Sequence, residues 1–161
     1  MDSITFKAIT DIEECKKVLL HFSKCLGSLQ EKDAIDFYAA KFSKNANVII
    51  AESTQKKCMG FIAYYANNIE SKTAYITMIA TLPEYRGMHI GQSLMDYCKK
   101  DISAKGFSFI KLEVGKDNLI AQHFYKKNGF VNIGENEKYT MEWKSDYSGA
   151  AEPPVRRSES L

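Results

Sequence analysis

Arg86-Gly87-Met88-His89-Ile90-Gly91 lies between an apolar extended run that ends near Thr81 and an amphipathic helical pattern that starts near Ile90. A turn that enters a helix leaves the first backbone N–H groups without partners inside the helix. The positive end of the helix dipole adds to their pull on an anion. Gly87 and Gly91 let the chain bend tightly and let backbone approach a ligand. Arg86 adds a forked cation that matches phosphate oxygens. The stretch reads as a phosphate cradle.

Working outward, Thr73 to Thr81 (TAYITMIAT) is a β-rich run. Pro83 removes a backbone donor and disfavours helix at Leu82, so the strand must end there. Beyond the loop, Leu94, Met95, Cys98 and Ile102 line one face of a helix predicted to end at Gly106. Phe109 to Val114 follows as a short strand. Strand, loop, helix and strand in that order make a βαβ unit, whose two strands run parallel through a right-handed crossover.

Toward the N-terminus, Ile4 to Ile9 reads as a strand and Thr10-Asp11 as a helix cap, followed by Ile12, Cys15, Val18, Leu19 and Phe22 at helical spacing. That helix is predicted to stop near Gly27. A second helix is predicted from Lys32 to Ser43, and two strands at Asn47 to Glu52 and Cys58 to Ala66 read as a hairpin that continues antiparallel into Thr73 to Thr81. Toward the C-terminus, a helix from Leu119 to Asn128 closes on Asn128-Gly129, and Phe130 to Ile133 and Tyr139 to Trp143 complete the pattern.

The chain has 161 residues, enough for one substantial core and short for two, so residues 1–144 are expected to form one domain. Residues 145–161 lack apolar periodicity and are expected to be a flexible tail, and the sequence leaves open whether all of it is native. A formal charge of +2 with scattered basic residues gives no argument for nucleic acid or a charged membrane. Cys15, Cys25, Cys58 and Cys98 form no metal-ligand spacing or disulfide framework, so no metal is expected and reduced thiols in the cytoplasm are. No run approaches the roughly 18 apolar residues of a membrane span.

Pro83 to Gly87 (PEYRG), Ile90-Gly91, Leu94, Glu113-Val114, Asn118, Ala121, Phe124-Tyr125 and Gly129-Phe130 together resemble the GCN5-related N-acetyltransferases, continuously from about Thr73 to Phe130. The N-terminal third agrees only in element order. The resemblance implies an α/β chain of the α+β type. Its fold would be a mixed, mostly antiparallel sheet of six to seven strands with a splayed parallel pair, flanked by about four helices. It implies that the acetyl-CoA pyrophosphate rests on backbone N–H groups of Met88, His89, Ile90, Gly91 and Gln92, with Arg86 and Gly87 at the loop entrance. It also implies that pantetheine lies along Ile79, Ala80 and Thr81, whose backbone makes the co-substrate an added strand. Ala121 and Phe124 belong to the second motif on the same co-substrate. The family pattern has glycine where this chain has His89. At a left-handed position histidine costs more than glycine, and its imidazole then faces either solvent or a phosphate.

Acetyl transfer from a thioester to an amine needs a neutral amine, an oxyanion stabiliser and a proton for the departing thiolate. Tyr125 matches the family tyrosine that approaches the thioester sulfur, and a phenol of ordinary pKa near 10 stays protonated at neutral pH. As an aromatic beside Phe124 it equally suits a core. Asn118 suits a helix N-cap, and in the family it often binds the pantetheine arm. Glu113, on the strand beside the proposed gap, corresponds to a glutamate that in some members deprotonates the amine through water; Glu52 is the weaker alternative. His21 and His123 read as solvated or packed side chains. No thiol intermediate is needed for direct transfer.

The function expected is therefore acetyl-CoA-dependent N-acetyl transfer to a primary amine of a small molecule, peptide or protein, by direct attack in a ternary complex. The chain would act as a monomer or homodimer. The alternative is a non-catalytic CoA-binding or regulatory module. A nucleotide-binding enzyme is excluded because the loop lacks a Gly-Lys-Ser/Thr ending and no GxGxxG follows a first strand.

Overall fold

A computed structural model describes residues 3–146. Seven strands hydrogen-bond in the order β1-β2-β3-β4-β5-β7-β6. They are β1 (Thr5–Ile9), β2 (Ala46–Glu52), β3 (Cys58–Asn68), β4 (Thr73–Thr81), β5 (Phe109–Gly115), β6 (Val131–Glu135) and β7 (Lys138–Lys144). Four α-helices accompany them: α1 (Ile12–His21), α2 (Ala34–Asn45), α3 (Ile90–Ala104) and α4 (Leu119–Lys127). β4 and β5 are the parallel pair, and the pairings β1/β2, β2/β3, β5/β7 and β6/β7 are antiparallel. The parallel register covers only Thr73–Tyr75 against Phe109–Lys111, although β4 continues to Thr81. The mixed, mostly antiparallel sheet and the four helices match the sequence expectation.

The described residues divide into two compact units, one of residues 3–65 with Ile76–Cys98 and one of Ala66–Tyr75 with residues 99–146. In the first unit Asp11 caps α1, its carboxylate accepting the N–H groups of Glu13 (3.0 Å) and Glu14 (3.1 Å). The spacing of Cys15, Val18 and Leu19 then buries one face of that helix. Phe22, Phe42 and Phe61 fill the core behind it, with Phe22 and Phe61 rings 4.9 Å apart. Each such buried side chain contributes about 1.5–3 kcal/mol.

In the second unit, strand alternation turns Ile110, Leu112 and Val114 of β5 inward and leaves Glu113 exposed. Met141 and Phe130 are buried as well.

Three predictions need correcting. The first helix stops at His21, not near Gly27. The Phe22 N–H donates to the carbonyls of Leu20 and Val18, the Ser23 hydroxyl takes the Leu20 carbonyl, and two 3-10 turns carry the chain to Leu29. The second helix begins at Ala34, because Asp33 adopts a left-handed conformation (φ 64°) that no helix continues through. Ser145, expected in the tail, is buried, and its N–H donates to the Ser108 carbonyl at 2.8 Å. Residues 147–161 of that expected tail lie outside the described residues.

Candidate active site

In the first unit, the end of β4 and the start of α3 carry the loop residues. Leu82 leaves the strand with its N–H donating to the Met59 carbonyl of β3 (3.0 Å), and Pro83–Tyr85 form one 3-10 turn. Gly87 and His89 both have positive φ, 83° and 62°. These two left-handed residues turn the chain into α3. The first bond of that helix runs from the Ser93 N–H to the His89 carbonyl (3.0 Å), which also accepts the Ser93 hydroxyl (3.0 Å). The amides of His89, Ile90 and Gly91 precede this bond and stand outside the helical ladder. The Met88 N–H is directed at the Tyr85 carbonyl over a long 3.4 Å. Arg86, Gly87, Met88 and His89 are exposed; Gly91 and Gln92 are half-buried, and Ile90 is buried as the first core residue of α3. The Gln92 amide donates to Asp96 at 2.9 Å. Ile79, Ala80 and Thr81 are half-buried at the end of β4.

Gly60, the third residue of β3, sets the geometry of this corner. A Cβ there would lie 2.8 Å from the Ala80 carbonyl oxygen and 2.9 Å from the Ile90 side chain, closer than real Cβ contacts come. Only glycine lets β3, the end of β4 and the first turn of α3 approach this closely. Sequence reasoning missed it, although a lone glycine inside an apolar strand is a signal of close backbone approach.

In the second unit, α4 and β5 carry the other residues. The Asn118 side chain accepts the Ala121 N–H at 3.2 Å, so it does cap α4. Ala121 and Phe124 are half-buried, and Tyr125 is 9% exposed, its ring 5.7 Å from Phe130. Burial pushes the Tyr125 phenol up to about 12, because the phenolate would lose its hydration. Tyr125 therefore holds its proton throughout the neutral range. The other end of α4 is fixed by Gly129, where φ is 92° and a Cβ would lie 3.1 Å from Trp143.

Glu113 sits on the exposed face of β5 with Tyr75 of β4 on the same face. Burial first, then the Glu113 charge and a hydrogen bond to it, push Tyr75 up to about 12. The Tyr75 hydroxyl thus donates to the carboxylate proposed as base. Gln122, one turn before Tyr125, is buried and donates to the carbonyls of Gly115 (2.8 Å) and Lys116 (3.0 Å), which ties α4 to the end of β5. Neither Tyr75 nor Gln122 stood out in the sequence, since each depends on a partner brought near by topology.

Glu52 pairs across the β2/β3 register with Cys58 in the first unit, away from Glu113 in chain and unit membership. His21 and His123 are exposed. Among the described residues no group of three His, Cys, Asp or Glu side chains could hold a metal ion, and no helix is long and apolar enough to cross a membrane.

A family model described as the acetyltransferase (GNAT) family matches residues 9–130. Among solved structures, a chimera of spermidine N-acetyltransferase SpeG from Vibrio cholerae and hSSAT is 19% identical, with a TM-score of 0.70 over 88% of this chain and 95% of that one. The PaiA N-acetyltransferase from Thermoplasma acidophilum in complex with coenzyme A is 20% identical, with a TM-score of 0.62 over 89% of this chain and 99% of that one. Nourseothricin acetyltransferase is 20% identical with a TM-score of 0.58; the match covers 62% of this chain and spans 65% of that protein's length. No curated protein sequence matches the chain.

Proposed function

The chain belongs to the acetyltransferase (GNAT) family, and from that membership we propose that it moves the acetyl group of acetyl-CoA to a primary amine by direct attack, without an acyl-enzyme. The observation that carries this reading is the entry to α3. There two left-handed residues, Gly87 and His89, set the backbone so that the amides from His89 to Gly91 precede the first helical bond, with Arg86 beside them. Those amides, the dipole of the 15-residue helix and the Arg86 fork suit the pyrophosphate of the co-substrate. Ile79, Ala80 and Thr81 would offer backbone groups to its pantetheine arm, and Asn118, Ala121 and Phe124 would complete its binding.

In the reaction proposed, the neutral amine attacks the thioester carbonyl, the C–S bond breaks and the thiolate takes the Tyr125 proton. A phenol raised to about 12 is fully protonated at neutral pH, and its proton goes to a thiolate as that charge forms. Glu113 would accept the proton the amine loses, with Tyr75 holding the carboxylate in place. The spermidine and nourseothricin acetyltransferases among the structural neighbours direct the first acceptor trials to polyamines and aminated antibiotics, alongside lysine peptides and peptide N-termini. The four free cysteines suit a reducing compartment, and the cytoplasm is the proposed location.

The test has two stages. Acetyl-CoA at about 100 times its dissociation constant should stabilise the protein by roughly 2.7 kcal/mol, a rise of about 5–10 °C in Tm. No shift at saturation removes the reading. With an acceptor in hand, Tyr125→Phe should lower kcat by about 10²-fold or more while leaving the acetyl-CoA shift in place. Unchanged turnover takes Tyr125 out of the acid role.

A further inference from the structure

The first unit holds a cavity of about 470 Å³ that the proposed reaction does not use. Its floor is apolar, formed by Val18 of α1, Ile50 of β2 and Leu82 at the end of β4. Around it stand Lys17, Lys57 and Glu84, from three different segments of the chain. Among the described residues none of these three charges has an ion-pair partner.

Two of the three charges are held on fixed supports. Lys17 projects from the middle of α1, a full turn before His21, which also borders the cavity. Lys57 closes a five-residue turn built on Ser53. The buried Ser53 hydroxyl accepts the N–H groups of Gln55 and Lys57 (both 3.2 Å), and its own N–H donates to the Lys57 carbonyl (3.0 Å). An apolar basin flanked by two uncompensated ammonium groups attracts an apolar molecule that ends in one negative charge. The Glu84 carboxylate on the same margin works against a second negative charge. Cys58 also borders the cavity, and burial followed by the neighbouring Glu52 charge pushes its thiol up to about 11. It therefore lines the cavity as a protonated, weakly polar surface and not as a nucleophile.

We propose that this cavity is a second ligand site, separate from the phosphate loop, for a small organic monoanion with an apolar body, of which an arylalkyl carboxylate is the representative. The carboxylate lies toward Lys17 and Lys57, and the apolar body covers Val18, Ile50 and Leu82. Glu84 distinguishes such a ligand from pyrophosphate and other polyanions, which the α3 entry suits instead. The inference does not depend on the chain being an active acetyltransferase.

The experiment titrates the full chain with phenylbutanoate and, separately, with its neutral amide, following backbone amide shifts by NMR. Phenylbutanoate should saturate shifts at Val18, Ile50 and Leu82, and the amide should bind about tenfold more weakly or not at all. The double variant Lys17→Glu/Lys57→Glu should lose about tenfold or more in affinity at an unchanged Tm, since both side chains are exposed. Glu84→Gln should bind the carboxylate more tightly and should admit a dicarboxylate that the parent refuses. Saturating pyrophosphate should leave the phenylbutanoate shifts in place. Absence of saturable shifts at the floor residues overturns the proposal, as does equal binding of acid and amide. Displacement by pyrophosphate also overturns it, because the cavity would then be an extension of the phosphate loop. Charge reversal that unfolds the chain shifts the decision to Glu84→Gln, where unchanged affinity for both anions has the same consequence.

Discussion

The N-termini of α3 and α4 solve the same problem in opposite ways. Each helix begins with backbone N–H groups that have no partner inside it. At α4 the chain supplies its own answer: the Asn118 side chain accepts the Ala121 N–H at 3.2 Å. At α3 the residue in the corresponding place is His89, left-handed at φ 62°, whose carbonyl takes the first helical bond, from Ser93, just as the Asn118 carbonyl takes that of Gln122. Asn118 thus takes up one open amide of its own helix, whereas His89 shapes the other terminus without capping it. The contrast explains why a motif asparagine can be structural and useful to a ligand at once. Its oxygen is committed to the helix, and an amide side chain still carries a donor nitrogen. α1 resembles α4, with Asp11 accepting two amides, whereas α2, entered through the left-handed Asp33 with no side-chain cap, resembles α3.

The largest way to break the comparison is to remove what holds the open terminus in place. Gly60→Val puts a branched side chain where even a Cβ would lie 2.8 Å from the Ala80 carbonyl and 2.9 Å from Ile90. Overpacking of this kind costs about 1–3 kcal/mol and more when backbone must move. We expect urea denaturation to show a loss of at least that size, together with loss of the acetyl-CoA-induced rise in Tm. A variant as stable as the parent would show that β3 and α3 can separate there without cost.

A smaller effect should come from opening the closed terminus. Asn118→Ala removes the Ala121 cap and should cost about 1 kcal/mol, a fall in Tm of about 2–4 °C. If Asn118 also binds the pantetheine arm, the acetyl-CoA dissociation constant rises as well. If it serves the helix alone, the stability change appears with the dissociation constant unmoved. Calorimetric titration beside the melt separates the two.

The parts of this fold legible in sequence are those with local punctuation. Pro83 ended β4 at Thr81 as expected, and Asn128-Gly129 ended α4 within one residue. In both cases one or two residues dictate the backbone whatever surrounds them. The end of α1 was not legible, because the apolar spacing reaches Phe22 and the next break in the sequence is Gly27, whereas in the fold Ser23 already takes the Leu20 carbonyl. A side chain competing for a backbone acceptor leaves no trace in periodicity. The candidate site divides along the same line. Arg86 to Gly91 and Asn118 to Tyr125 could be read directly, since each is a contiguous run. The Tyr75 hydrogen bond to Glu113 could not, because it joins residues 38 positions apart through the parallel register of β4 and β5. Gly60 stood between: its isolation in an apolar strand was visible, and the contacts that give it meaning were not.

The smallest and sharpest change is His89→Gly, which asks what the residue at the open terminus contributes beyond its backbone. A non-glycine residue in the left-handed region costs roughly 1–2 kcal/mol. Glycine removes that cost but loses about 0.5–1 kcal/mol through the extra freedom of its unfolded chain. The net expectation is a gain of about 0–1.5 kcal/mol, visible as a Tm unchanged or raised by up to about 6 °C. Because the amides from residue 89 to Gly91 are backbone groups, glycine retains all of them, and the acetyl-CoA dissociation constant should stay within about twofold if the imidazole faces solvent. A rise of about tenfold or more would correspond to roughly 1.4 kcal/mol of binding. That loss would assign the exposed imidazole to a phosphate oxygen. Asn118→Ala is told apart from it by stability, since it removes a cap and lowers the Tm, whereas His89→Gly removes none, so weaker acetyl-CoA binding without a fall in Tm belongs to the imidazole.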